Sequence, residues 1–190
     1  MPVKKTILPI WWEEIEAYPI DHALWQTTYQ PKAHAKLAYI ENDAVYINMF
    51  VEEKNPKAVY TKPNDPVYKD SCLECFINFD PEHQEEYLNI EVNANGAMLM
   101  GYGKDRHERQ SLVSEEILVP FKNEVGWGFT LILSVDFIKR YFRQIADIWS
   151  GNFYKCGDET DEIHFLSWAE VKEEHPNFHC PKWFGKLEII

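Results

Sequence analysis

Residues 70–96, DSCLECFINFDPEHQEEYLNIEVNANG, read with a period of two as two strands joined by a polar loop. On the first, Leu73, Cys75 and Ile77 share one face while Cys72, Glu74, Phe76 and Asn78 point the other way. On the second, Leu88, Ile90 and Val92 are the apolar set, and Tyr87, Asn89, Glu91 and Asn93 form a polar ladder. One face therefore belongs to a core, and the other is rich in amides and carboxylates. If the loop 80–86 closes the hairpin symmetrically, Asn78 falls opposite Tyr87, Phe76 opposite Asn89 and Glu74 opposite Glu91. Directly opposed residues have Cβ atoms about 4.5–5.5 Å apart, so two carboxylates there repel unless a partner intervenes. A Lys or Arg, a metal ion, a shared proton or a network of ligand hydroxyls would each serve. The competing reading is a purely structural pair satisfied by backbone amides and a lysine inside the fold.

The remaining chain fits around this hairpin. Its 190 residues, 45% hydrophobic and 15% aromatic, are enough for one domain over residues 1–190 with a substantial core. Strands are predicted over 35–41 and 44–52, with a turn at Asn42-Asp43, and again over 96–103, 117–122, 126–135 and 185–190, with strand or extended segments over 148–154 and 163–171. Residues 136–142 carry an apolar stripe that suits one or two helical turns. Residues 54–69, with three prolines, read as an irregular loop. The expected fold is all-β, an antiparallel β-sandwich with one short helix.

A net charge of −12 with no basic run disfavours nucleic acid and anionic membranes as partners. Neutral ligands, sugars among them, remain compatible. The start of the chain is not a signal peptide and no run of about 18 apolar residues occurs, which leads to the expectation of a cytoplasmic protein, or of a secreted one if a leader has been removed.

Motifs for catalysis are sparse. Cys72 and Cys75 have a metal-pair spacing, but on a strand a separation of three sends them to opposite faces. His175 and His179 are four apart with Pro176 between them, which opposes a helical metal pair. GNFYKCGD, residues 151–158, lacks the Gly-Lys-Ser/Thr end of a phosphate loop. It reads as a compact loop rich in donors and acceptors, with Lys155 as candidate counter-charge for Glu74 and Glu91. Sugars present flat C–H faces edged by hydroxyls, so their sites pair an aromatic platform with amides and carboxylates. Phe76, Tyr87, Tyr154, Trp168 and Trp183 are candidate platforms.

The run Asp70-Ser71-Cys72-Leu73-Glu74-Cys75-Phe76-Ile77, followed by Tyr87-Leu88-Asn89-Ile90-Glu91-Val92-Asn93 and Gly96, resembles the signature of carbohydrate-binding module family 9-like domains. Gly126-Trp127, Gly151-Asn152-Phe153-Tyr154-Lys155, Ser167-Trp168, the segment 176–181 and Phe184-Gly185 extend the likeness over nearly the whole chain. The resemblance implies a β-sandwich of the DOMON-like, immunoglobulin-like jelly-roll type, a mono- or oligosaccharide ligand, a place in carbohydrate catabolism and supporting calcium. Family members accompany glycoside hydrolases such as xylanases, with two tryptophans sandwiching the sugar. Relatives in the wider group bind haem through Met and His, for which Met98 and Met100 are available.

The expected site is a non-catalytic polar cleft formed by Glu74, Asn89, Glu91, Asn93, Asn152, Tyr154, Lys155 and Trp168. Two alternatives stand beside it: a glycoside hydrolase using Glu74 and Glu91 as its acid/base pair, and a haem-binding redox domain.

Overall fold

In the computed structural model, residues 1–113 and 115–190 are described. Among them run β1 (Pro2–Lys5), β2 (Tyr18–Pro19), β3 (His22–Ala23), β4 (Ala33–Ile40), β5 (Ala44–Val51), β6 (Cys72–Asn78) and β7 (Tyr87–Asn93). They are followed by β8 (Met98–Gly103), β9 (Arg109–Leu112), β10 (Ile117–Lys122), β11 (Trp127–Ser134), α1 (Val135–Tyr141), β12 (Ile148–Gly157), β13 (His164–Ser167) and β14 (Gly185–Ile189). The strand order β10-β11-β5-β4-β1-β14-β12-β6-β7-β8-β9 curls into a β-sandwich. Its seam is β1, whose Pro2 and Val3 pair with β14 while Lys4 and Lys5 pair with β4. Both β1 pairings are parallel, a departure from the antiparallel expectation. Parallel neighbours need a long connection rather than a hairpin, and residues 6–32 supply it between β1 and β4.

The alternation read from the sequence builds the core. Val45, Ile47, Met49 and Val51 of β5 and Trp127, Phe129, Leu131 and Leu133 of β11 meet Leu73, Cys75 and Ile77 of β6 and Leu88, Ile90 and Val92 of β7. Fully burying such a side chain contributes about 1.5–3 kcal/mol, so this interior, more than any polar contact, holds the sheets together. Met98 and Met100 lie opposite Val92 and Ile90 and pack against the same core. Met100 is buried in that core and Met98 is half-buried against it, and both also line a cavity with Leu112 and Leu118. Ser134 caps α1 by accepting from the Phe137 N–H at 3.1 Å.

The strand expected over 148–154 is present and runs further, as β12 to Gly157, so residues 151–157 are not a compact loop but buried strand beside β6, with β13 pairing from Tyr154 on. The two glycines that suggested a turn are there for close approach. A Cβ on Gly151 would stand 2.6 Å from the Phe76 carbonyl oxygen, and one on Gly157 2.6 Å from the His164 ring.

The other face of the β12-β6-β7 sheet carries Cys72, Phe76, Tyr87, Tyr154 and Cys156, covered by Leu24, Val67, Val171 and Phe178. This second layer leaves a cavity over part of the sheet. Among the described residues, no helix is long and apolar enough to cross a membrane.

Candidate functional site

Glu74 lies directly opposite Glu91, and Phe76 opposite Asn89, in the expected register. Both glutamates are almost fully buried, 3% and 2% exposed, and both lie on the floor of a cavity of about 290 Å³. Trp25, Tyr68, Phe165 and Phe178 contribute aromatic wall, and Arg106, Arg109, Asp158, Asn177 and His179 add polar groups.

The counter-charge is Arg109 on β9. Its Nη1 lies 3.4 Å from Glu91 Oε1, which also accepts from Asn89 Nδ2 at 2.9 Å. The guanidinium reaches this position by crossing β8 at Gly101, where an added Cβ would stand 2.5 Å from Asn89 Oδ1 and 3.4 Å from Arg109 Cδ. Glycine is required there to let both side chains pass. Arg109 Nη1 is also 3.1 Å from His179 Nε2, and an arginine can only donate. His179 Nε2 therefore accepts, and its proton sits on Nδ1, donated to the Tyr87 hydroxyl at 2.8 Å. Burial first, and Arg109 second, push His179 down to about 3, so the ring stays neutral.

Trp25 is held in an uncommon conformation. Thr27 N–H donates to the Leu24 carbonyl at 3.0 Å, closing a turn whose central residues Trp25 (φ 50°) and Gln26 (φ 63°) are both left-handed. That region costs a non-glycine residue about 1–2 kcal/mol, and its surroundings must hold it there. The Trp25 indole N–H donates to the Glu173 carbonyl at 2.7 Å, and its ring packs on Phe165 and Phe178 at 5.4 and 5.5 Å.

The expected site residues divide into two groups. Glu74 and Glu91 form the floor, with Asn89 bonded to Glu91. Tyr154 is one layer below the cavity, stacked at 4.0 Å under Phe178 and donating to its carbonyl at 3.2 Å. The other four are engaged elsewhere. Asn93 donates to Asp70 Oδ2 and the Tyr60 carbonyl and accepts from the N–H groups of Asn95 and Ala97, so it organises the β7–β8 turn. Asn152 clamps Ala169 through that residue's N–H and carbonyl, both at 2.9 Å. Trp168 packs on Phe153 and against Gly185 at the core side of the sheet. Trp183 hydrogen-bonds Glu173, and Phe76 and Tyr87 are fully buried.

Lys155 corrects the expectation most sharply. It pairs with Leu73 rather than Glu74, so alternation turns it to the interior face. There its Nζ lies 2.6 Å from His164 Nε2, 2.9 Å from the Cys156 carbonyl and 3.7 Å from Glu53 Oε2. Glu53 also accepts from Ser71 and Trp127. Burial pushes Lys155 down, and burial followed by Lys155 pushes His164 down to about 4. Strand periodicity carries no signal for Arg109, His179 or the aromatic wall; the segment 176–181 of the family likeness is the one feature that points toward His179 and Phe178.

Burial raises both floor glutamates. Glu74 moves well above the ordinary range, helped by the charge of Glu91, and Glu91 rises to about 7 with Arg109 opposing the shift. A carboxyl raised on folding stabilises the fold below its unfolded value, near 4.5, and that contribution disappears as pH rises through about 7. Unfolding free energy is therefore expected to fall between pH 5 and pH 8 as the Glu74–Glu91 pair loses its protons. Urea unfolding at both pH values checks this, and Glu91→Gln should flatten the slope. A wild-type stability that rises over the interval contradicts it.

For the implied calcium, the buried aspartates Asp70 and Asp80 each have one carboxylate oxygen taken and one free. Asp70 Oδ2 is held by the N–H groups of Val59, Tyr60 and Asn93, and Asp80 Oδ1 by His83 and Gln144. Asp70 Oδ1 and Asp80 Oδ2, by contrast, are buried without a hydrogen-bond partner among the described residues, so each leaves a cation one oxygen of the six to eight that calcium takes.

The profile of carbohydrate-binding family 9 matches residues 9–189. The chain belongs to carbohydrate-binding family 9. This family 9 domain is similar over its full length to a candidate carbohydrate-binding protein from Bacteroides uniformis, with 27% identity, 98% of that chain covered and a TM-score of 0.86. It shares its fold with a family 9 module from Caldicellulosiruptor kristjanssonii solved with glucose, at 12% identity, TM-score 0.70, and 100% and 95% of the two chains covered. The same holds for a family 9 module from that organism solved with cellotriose, at 13% identity, TM-score 0.66, and 100% and 93% covered. No curated protein matches this family 9 domain.

Proposed function

We propose that this family 9 domain binds a neutral saccharide in the cavity above Glu74 and Glu91 and performs no chemistry on it. One observation carries the reading: Glu91 Oε2 is buried on the cavity floor without a hydrogen-bond partner among the described residues. An unpaired buried acceptor costs about 1–3 kcal/mol, which a ligand hydroxyl recovers by donating to it. Arg109 supplies donors at the same place, and the aromatic walls suit the C–H faces of a sugar ring. A volume of about 290 Å³ suits a ligand of one or two rings. The modules solved with glucose and cellotriose make glucose and its short β-linked oligomers the first ligands to try.

Hydrolysis is the weaker reading of the same carboxylates. Acid and nucleophile, or acid and base, must flank the scissile bond. Glu74 and Glu91 instead project side by side from adjacent strands of one sheet, which favours recognition.

Tryptophan fluorescence titrated with glucose, cellobiose, cellotriose and xylose oligomers tests the proposal. A saturable change is expected, and Trp25→Ala should weaken binding about tenfold, the loss of one aromatic contact of up to about 1.5 kcal/mol. Silence across the panel from a folded protein would remove the proposal.

A further inference from the structure

Cys72 and Cys156 face each other directly across β6 and β12, on the cavity side of the sheet. Glu74 lies two residues along β6 on the same face. The two Sγ atoms and a Glu74 carboxylate oxygen all lie within 4.8 Å of one another, and Cys156 Sγ is 3.0 Å from Glu74 Oε1. All three side chains are buried and both thiols are free. We propose that Cys72, Glu74 and Cys156 bind a single zinc-class divalent ion at the edge of the cavity floor.

The spacing suits a tetrahedral ion. Zinc–sulfur bonds of about 2.3 Å and zinc–oxygen bonds of about 2.0–2.2 Å place neighbouring ligand atoms roughly 3.5–3.8 Å apart, so the donors need move only about an ångström. Two thiolates with one carboxylate select zinc or cobalt over calcium and magnesium. The electrostatics point the same way. Arg109 is engaged by Glu91 and His179, and among the described residues the hydrogen bond that Glu74 accepts comes from the Cys156 thiol. Glu74 and Asp158 both line the cavity, which provides an entry path and an open fourth position. Asp158 follows Cys156 by two residues and is placed to approach that position. The site does not depend on the saccharide reading.

Cobalt is the probe. The reduced, metal-stripped full chain, titrated with Co²⁺ alone, is expected to bind one equivalent, with a thiolate-to-cobalt charge-transfer band and intense tetrahedral visible bands that zinc abolishes. Cys156→Ser and Cys72→Ser should each weaken zinc at least tenfold in chelator competition. Glu74→Gln should weaken it less while keeping the charge-transfer band, and Cys180→Ser should change nothing. Absence of the bands in the folded wild-type protein overturns the site, and that measurement needs no variant to fold. Bands that survive loss of both Cys72 and Cys156, or that vanish in Cys180→Ser, overturn it equally. Saccharide titration of the metal-free protein is read separately, so failure of one proposal is distinguishable from failure of the other.

Discussion

Replacing Arg109 by alanine is expected to destabilise the protein by about 3 kcal/mol at pH 8, where Glu91 is ionised and would be left buried without its cation. At pH 5 the loss should be less than half as large, because Glu91 then carries a proton and the arginine neutralises nothing. The pH dependence distinguishes this account from simple loss of packing, which would cost the same at both values. The same variant should lose saccharide binding by more than tenfold, since Arg109 also sets the acceptor state of His179 and so the ordering of that wall. Urea unfolding at the two pH values and fluorescence titration measure these effects. A pH-independent loss, or unchanged affinity, would show that the guanidinium is not the neutralising group.

Lys155→Met is expected to cost about 3–5 kcal/mol, the penalty for leaving a buried carboxylate unpaired. Glu53, whose side chain is 10% exposed, has burial working to raise it, and Lys155 with the Ser71 and Trp127 hydrogen bonds outweighs that and holds it ionised. Adding Glu53→Gln to Lys155→Met should recover much of the loss, since the uncompensated charge is then gone. Saccharide affinity should stay within about twofold of wild type, because Lys155 faces the interior and not the cavity. Denaturant unfolding of the single and double variants tests the coupling. A cost below about 1 kcal/mol, or a changed affinity, would restore Lys155 to the ligand side.

The local pattern was fully legible in the hairpin. Alternation at 72–78 and 87–93 assigned every core residue to its face, and a symmetric loop paired Glu74 with Glu91. Residues 148–154 read as extended, but the two glycines of 151–157 suggest a loop there and hide the alternation. In the strand, their missing side chains admit the Phe76 carbonyl and the His164 ring instead. Once β12 is extended, Tyr154 and Lys155 must point to opposite faces, and only one can approach the cavity.

By itself, the sequence determined the sandwich, the polar face, the opposed carboxylates and the family, because each rests on short-range periodicity or a contiguous motif. Only the tertiary structure decided that Arg109 neutralises Glu91 and that Trp25, Phe165 and Phe178 wall the cavity. It also decided that Asp70 and Asn93 of the motif clamp a loop and a turn while Glu74 and Glu91 face the cavity. Those partners are far apart in the chain, joined by the curl of the sheet and by the gap at Gly101. A period of two tells which way a side chain points, but not what has been folded over it.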